Sequence, residues 1–258
     1  MATWDAAQYL KFADERMRPA LDLLAQVSLT TPRCVVDLGC GTGNVTRLLR
    51  QRFPQADVLG VDGSEAMLEK ARQTAPDCRF LRADFATWPF DAHMAPAELI
   101  YSNAALHWVS GHETLFPQLV SLLAPEGVLA VQMPAMHDAP FRRLQNEVAR
   151  IGPWADLLRD AGFARAILPA AAYYDLLRPH VRALDLWETT YLHVLRGTDA
   201  VVEWAAGSSL RPFLDRLTPE MRTDFRAAYA RALRPHYPPR PDGASLLPFR
   251  RLFIVAQR

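Results

Sequence analysis

The stretch Asp37-Leu38-Gly39-Cys40-Gly41-Thr42-Gly43-Asn44 decides how the chain reads. It closes a short apolar run that begins at Cys34 and has the look of a buried strand. It opens a helical pattern over residues 43–53, which Pro54 ends. Glycine lacks a Cβ and accepts positive φ, so a glycine-rich turn between strand and helix lets backbone approach a ligand closely. A dinucleotide turn asks for Gly-x-Gly-x-x-Gly. Gly39 and Gly41 satisfy that spacing, but Asn44 stands where the last glycine should be, and the extra glycine is Gly43. Asp37, two positions ahead of Gly39, repels a pyrophosphate and attracts an ammonium group. The ordinary alternative is a tight strand–helix turn with no ligand.

Outward from that loop the alternation repeats. Asp57 to Val61 reads as a strand ending at Asp62. Ser64 is a candidate N-cap, with Glu65 in the first turn of a helix running to about Ala75. Phe80-Leu81 sits in a short strand ending near Asp84, and Glu98 to Tyr101 in another ending at Ser102-Asn103. Residues 112–123 form a helix stopped by Pro125 and Gly127, and Val128 to Met133 form the next strand. Such alternation calls for a parallel sheet covered by helices on both faces. In that architecture ligands bind outside the carboxyl ends of the strands. Asp62 is placed to accept the hydroxyls of a ribose. Asp84-Phe85 offers an acceptor, a backbone N–H and an apolar ring to an adenine. Asn103 falls at the centre of the cleft. Each has a plain reading as a cap or a solvated loop residue, but polar tips on successive strands of one sheet reinforce each other.

The flanks are less regular. Residues 5–27 read as an amphipathic helix with Pro19 as a kink or break. Residues 140–178 are helical or irregular, 181–195 alternate like a long strand, 198–235 hold two or three helices, and 246–256 form a last strand. On the 181–195 strand Trp187, Thr189, Tyr191 and His193 share one face; Leu186, Leu192 and Val194 share the other, which suits a core. The expected organisation is a helical lid over 1–30, an α/β core over 31–135, and a remainder over 136–258 that completes the sheet around an inserted helical cap, all one compact unit.

Composition narrows the function. Of 258 residues, 29 are basic and 28 acidic, for a net charge of +1, which argues against a nucleic-acid binder. Cys34, Cys40 and Cys78 form no Cys-x-x-Cys pair, so neither a zinc site nor a disulfide framework is expected. The start has no signal-peptide pattern and no stretch is long and apolar enough for a membrane span. A soluble cytoplasmic protein is expected, and without coiled-coil heptads a monomer.

The glycine loop, Asp62, Asp84-Phe85 and Ser102-Asn103-Ala104-Ala105-Leu106-His107-Trp108 resemble the class I S-adenosylmethionine-dependent methyltransferases over residues 33–133. A closer resemblance runs through the whole chain. The opening pattern (Trp4, Tyr9, Phe12, Arg16, Pro19, Leu24), Val131-Gln132-Met133-Pro134, Gly152-Pro153-Trp154, Trp187 to Tyr191, Leu210 to Leu214 and Arg251 to Ala256 are similar to the trans-aconitate 2-methyltransferase family. The resemblance implies a Rossmann-like, seven-stranded, mostly parallel sheet whose last strand is antiparallel, plus a helical cap. It implies S-adenosylmethionine as cofactor, S-adenosylhomocysteine as its product, and a small polycarboxylate as substrate, esterified at one carboxylate. Asp37 with the backbone of Gly39 and Gly41 is then assigned to the methionine part, Asp62 to the ribose, Asp84 and Phe85 to the adenine, and Asn103 to the sulfonium end. Tyr9 and Phe12 fold over as a lid or simply pack. Arg16 serves either the cofactor carboxylate or the substrate.

A carboxylate is already an anion at neutral pH, so no residue is assigned as general base. The substrate must instead be gripped by fixed cations, and guanidinium does this with paired hydrogen bonds. Arg211 and Arg251 are the candidates; Arg250, next to Arg251, faces the opposite way. Tyr191, His193, Gln132, His107 and Trp108 complete the proposed pocket, each with plain packing as its alternative. Competing readings are a carboxyl methyltransferase acting on a carrier-bound acid, a nucleotide-dependent dehydrogenase, and a non-catalytic cofactor-binding module.

Overall fold

The computed structural model describes residues 13–84, 96–161, 167–207 and 209–258. The elements in order are α1 (Ala13–Ala25), β1 (Cys34–Leu38), α2 (Asn44–Arg52), β2 (Asp57–Asp62), α3 (Glu65–Thr74), β3 (Arg79–Arg82), β4 (Ala97–Asn103), α4 (His112–Ser121), β5 (Leu123–Pro134), α5 (Pro140–Arg150), α6 (Ala170–Leu177), β6 (Ala183–Arg196), α7 (Ala200–Ala206), α8 (Arg211–Leu214), α9 (Pro219–Leu233) and β7 (Ala244–Gln257). The strands form one sheet in the order β3-β2-β1-β4-β5-β7-β6. The pairs from β3 to β5 are parallel, and β7 runs antiparallel to β5. This is the expected class I arrangement.

The described chain divides into two compact units. One, the sheet unit, comprises Arg16–Pro134, Ile167–Thr189 and Arg251–Arg258. Its strands are apolar runs because both faces are covered: Val35, Val36 and Leu38 of β1 and Leu99 and Ile100 of β4 are buried. α1 carries Pro19 through its interior without ending there, and it is tied down where the buried Tyr101 hydroxyl donates to the Ala20 carbonyl. α3 starts at Ser64 as expected, but the Ser64 hydroxyl makes no capping bond. β5 begins at Leu123, earlier than the proline and glycine at 125 and 127 foretell. Glu126 takes φ +67°, the pairing with β4 shifts between Ala97 and Leu99, and the strand absorbs the turn residues as an irregularity.

The other unit is formed by the described parts of Met1–Glu15, Ala135–Ala166 and Thr190–Arg250. Its helices close on an aromatic core in which Trp154 meets Phe225 edge-on at 5.2 Å and Phe213 stacks on Phe225 at 5.9 Å. Inside it Gln145 Nε2 donates to Ser209 Oγ (2.7 Å) and to the Tyr229 hydroxyl (3.2 Å), which donates to the Phe141 carbonyl (2.6 Å). α9 is capped by Thr218, whose hydroxyl accepts from Met221 N, with Pro219 in the first turn.

From Tyr191 onward the faces of β6 are the reverse of the expectation from hydropathy. Leu192 and Val194 are 61% and 52% exposed, while Tyr191, His193 and Leu195 are buried. β6 is the edge strand, and the odd-numbered face is the one its unit covers. The His193 ring stacks on Trp204 at 4.5 Å and meets Phe249 at 5.5 Å.

Candidate active site

The glycine loop is fixed from below by β2. The N–H groups of Gly39 and Cys40 both donate to the Val61 carbonyl, at 2.8 and 3.0 Å. Asp62 at the end of β2 holds it from the side: Oδ2 accepts from Gly41 N at 3.0 Å and Oδ1 from Ser64 N at 2.8 Å. Each carboxylate oxygen keeps a further lone pair for a ligand hydroxyl. Gly39, Gly41 and Gly43 all take positive φ, at +73°, +53° and +79°. They serve different ends. A Cβ on Gly43 would lie 2.9 Å from the Ala71 Cα, so α2 passes α3 at backbone contact. Among the described residues, a Cβ on Gly41 would meet nothing within 4 Å.

Asp37 lies at the end of β1, 1% exposed, and accepts a hydrogen bond from Thr46 Oγ1 at 2.6 Å. Burial pushes its carboxyl up, the Thr46 bond lowers it, the nearby Asp62 charge raises it, and the result is about 7. Among the described residues neither Asp37 nor Asp62 takes part in an ion pair. Buried acid without a cation is costly to charge, and a cationic ligand relieves that cost.

On the other side of β1 the polarity changes. Strand register places Asp37, Tyr101, Asn103, Gln132, Phe253 and Arg251 on one face of the sheet. Asn103 closes β4, with its Oδ1 buried and, among the described residues, without a hydrogen-bond partner. Ala104 follows at φ +54°, a left-handed conformation in a non-glycine residue, held by its N–H on the Gln132 carbonyl at 2.9 Å. Ser102 Oγ ties β4 to β1 by donating to the Leu38 carbonyl at 2.9 Å. Gln132, fully buried, accepts from Arg251 Nη1 at 3.1 Å through Oε1, while its Nε2 has no partner among the described residues. Arg251 is 4% exposed. Phe253, opposite Gln132, stacks on Trp187 at 4.8 Å.

Beyond Asn103, Leu106–Trp108 form one helical turn in which the His107 and Trp108 rings lie 4.7 Å apart. The turn is anchored from α4. His112 Nε2 faces the Leu106 carbonyl at 3.0 Å and must donate to it, so Nδ1 accepts from the Tyr173 hydroxyl of α6.

The structure thus brings Asp37, Gly39, Gly41, Asp62, Asn103, Gln132 and Arg251 to the carboxyl ends of β1, β2, β4 and β5 and the start of the paired stretch of β7. Asp84 lies just past β3, exposed. Phe85, Tyr9 and Phe12 lie outside the described residues; for Arg16 only the backbone, in α1, is described. Tyr191, His193 and Arg211 belong to the helical unit, where Tyr191 and His193 are buried and Arg211 opens α8 half-buried. Arg250 also belongs there, paired with Asp138 at 2.8 Å. Sequence reasoning passed over Thr46, whose contact with Asp37 no motif announces, and the His112–Tyr173 pair. Among the described residues no group of three or more His, Cys, Asp or Glu is placed to hold a metal ion.

Residues 35–127 match a family model described as a methyltransferase domain. A trans-aconitate 2-methyltransferase from Azoarcus sp. (strain BH72) is 52% identical over 259 residues, covering all of both chains. Another of that name from Methylobacterium radiotolerans is 51% identical, covering all of this chain and 99% of the relative. Among solved structures, a putative methyltransferase from Bacillus halodurans superposes with a TM-score of 0.59 at 13% identity, covering 93% of this chain and 98% of that one. Geranyl diphosphate C-methyltransferase from Streptomyces coelicolor, in complex with Mg2+, geranyl diphosphate and S-adenosyl-L-homocysteine, gives 0.54 at 17% identity, covering 97% and 82%.

Proposed function

The chain belongs to the trans-aconitate 2-methyltransferase family, and we propose that it converts one carboxylate of trans-aconitate to its methyl ester with S-adenosylmethionine. The observation that carries this reading is the order of charge across one sheet. Carboxylates stand at β1 and β2, an amide at β4, and an amide-held guanidinium where β5 meets β7. The acidic half and the space beside Gly41, free of described residues, fit a cationic, hydroxyl-bearing cofactor. The basic half fits an anionic substrate.

S-adenosylmethionine supplies an electrophilic methyl group on a sulfonium. The chain does the rest. Asp37 and the backbone of Gly39 and Gly41 take the methionine part, Asp62 the ribose, and Asp84 with Phe85 the adenine. Asn103 stands at the reacting end, and Arg16 serves the cofactor carboxylate or the substrate. Arg251 and Gln132, with His107 and Trp108, take the acid. The attacking group has a pKa near ~4 and is ionised at neutral pH, so no side chain removes a proton. Rate must come from holding a carboxylate oxygen about 3 Å from the methyl carbon and keeping water out. Guanidinium on the spectator carboxylates, rather than on the attacking oxygen, keeps that oxygen nucleophilic.

A radiolabelled methyl-transfer assay over a panel of di- and tricarboxylates tests the proposal. Base-labile label should appear on trans-aconitate well above cis-aconitate and citrate. Clear S-adenosylhomocysteine binding with no transfer to any free acid would overturn the substrate assignment and favour a carrier-bound acid.

A further inference from the structure

We infer that Gln132 is the residue that makes this site select a carboxylate, an inference that rests on the polycarboxylate reading above. Gln132 is fully buried at the carboxyl end of β5, in register with Asn103 on one side and Phe253 on the other. Arginine N–H groups only donate, so the atom facing Arg251 Nη1 must be the amide oxygen, which fixes Nε2 on the other branch of the amide. That Nε2 is buried and, among the described residues, has no hydrogen-bond partner.

A buried donor left unsatisfied in a well-packed sheet is costly unless something completes it. Next to it, the Asn103 Oδ1 is a buried acceptor equally without a partner among the described residues. The two orphans have opposite polarity and sit on adjacent strands at the same register position. An acceptor-rich anion completes Gln132; a donor or cation completes Asn103. The boundary between the two ligands therefore runs between β4 and β5, with Gln132 on the acid's side.

The arrangement also explains why an amide, and not an acid, stands at position 132. The Oε1 orients the planar Arg251 guanidinium, so that guanidinium and amide present N–H groups from one rigid pair. A carboxylate would hold Arg251 equally well. It would lose the Nε2 donor and put a like charge against the substrate.

The test compares Gln132→Glu, nearly isosteric, with Gln132→Met, which keeps the bulk and removes both polar atoms. Calorimetric titration of the full chain with trans-aconitate and, separately, with S-adenosylhomocysteine gives the readouts. The Glu variant should weaken acid binding by about 100-fold or more, as expected for losing a buried charged hydrogen bond and gaining repulsion. The Met variant should weaken it by about tenfold. Both should bind S-adenosylhomocysteine as the parent does, which also reports folding; if the Glu variant does not fold, the Met variant carries the test. Parent-like acid affinity in a variant that keeps parent-like S-adenosylhomocysteine binding overturns the inference alone. A parent protein that neither binds nor methylates any polycarboxylate overturns the underlying reading as well.

Discussion

With 1% of its surface exposed, Asp37 has exchanged water for a hydrogen bond from the Thr46 hydroxyl. Burial raises its carboxyl to about 7, whereas in the unfolded chain it titrates near ~4. A folded value above the unfolded one means that protonation favours the fold. The stability from this group is complete below about pH 4, declines as pH rises, and is gone above about pH 7. Ligand binding runs the other way, since a cationic methionine end wants the carboxylate. Affinity for S-adenosylhomocysteine should improve about tenfold per pH unit on approaching neutrality and then level off. Asp37→Asn should flatten the profile and weaken binding at high pH. Calorimetry between about pH 6 and about pH 8 measures both; a flat wild-type profile would mean that Asp37 does not face the ligand's charge. Asp37, Asp62 and Asn103 were legible because each ends a recognisable strand. Thr46 was not, because nothing in its spacing says that α2 turns it back onto β1.

At the level of elements, the proposed role of the loop between β1 and α2 separates folding from binding within three residues. Gly43 is glycine for packing, since its Cβ would press on Ala71 and its φ is positive. Gly43→Ala should cost about 3 kcal/mol, left-handed strain and overpacking together. Gly41 has the same sign of φ but no described residue where its Cβ would go. Gly41→Ala should cost only about 1 kcal/mol of stability yet weaken S-adenosylhomocysteine by about tenfold or more, equivalent to 1.4 kcal/mol. Urea unfolding and ligand titration of the two variants separate the effects; a Gly41 variant that binds normally would remove the loop from the cofactor site. β6 marks where sequence reading stops. Alternation located the strand to within a residue or two, but hydropathy assigned Leu192 and Val194 to the core, and both are exposed. Period-2 alternation defines two faces; which one is covered depends on helices more distant in sequence, and here aromatic Trp204 and Phe249 claim His193.

Over the whole molecule the same division holds. The first half was legible as a fold because each strand meets its neighbour through a short, repeated crossover, and the glycine loop fixes where the sheet's working end lies. The second half supplies a helical unit whose core residues are far apart in sequence, and no local period encodes that. Stability follows the apolar cores rather than charge. The pairs Arg79–Asp57, Arg72–Glu65 and Arg159–Asp156 are largely exposed and contribute little. The largest adjustable contribution is then a ligand that binds only the folded state. S-adenosylhomocysteine at a hundred times its Kd should add about 2.7 kcal/mol, and for a chain of this size raise Tm by about 5–10 °C. NAD should give no shift, because its pyrophosphate would face Asp37 and Asp62 with no cation between them. A thermal shift with both ligands compares the charge order of the sheet with either cofactor: stabilisation by NAD and not by S-adenosylhomocysteine would mean that the acidic tips of β1 and β2 do not select a cation.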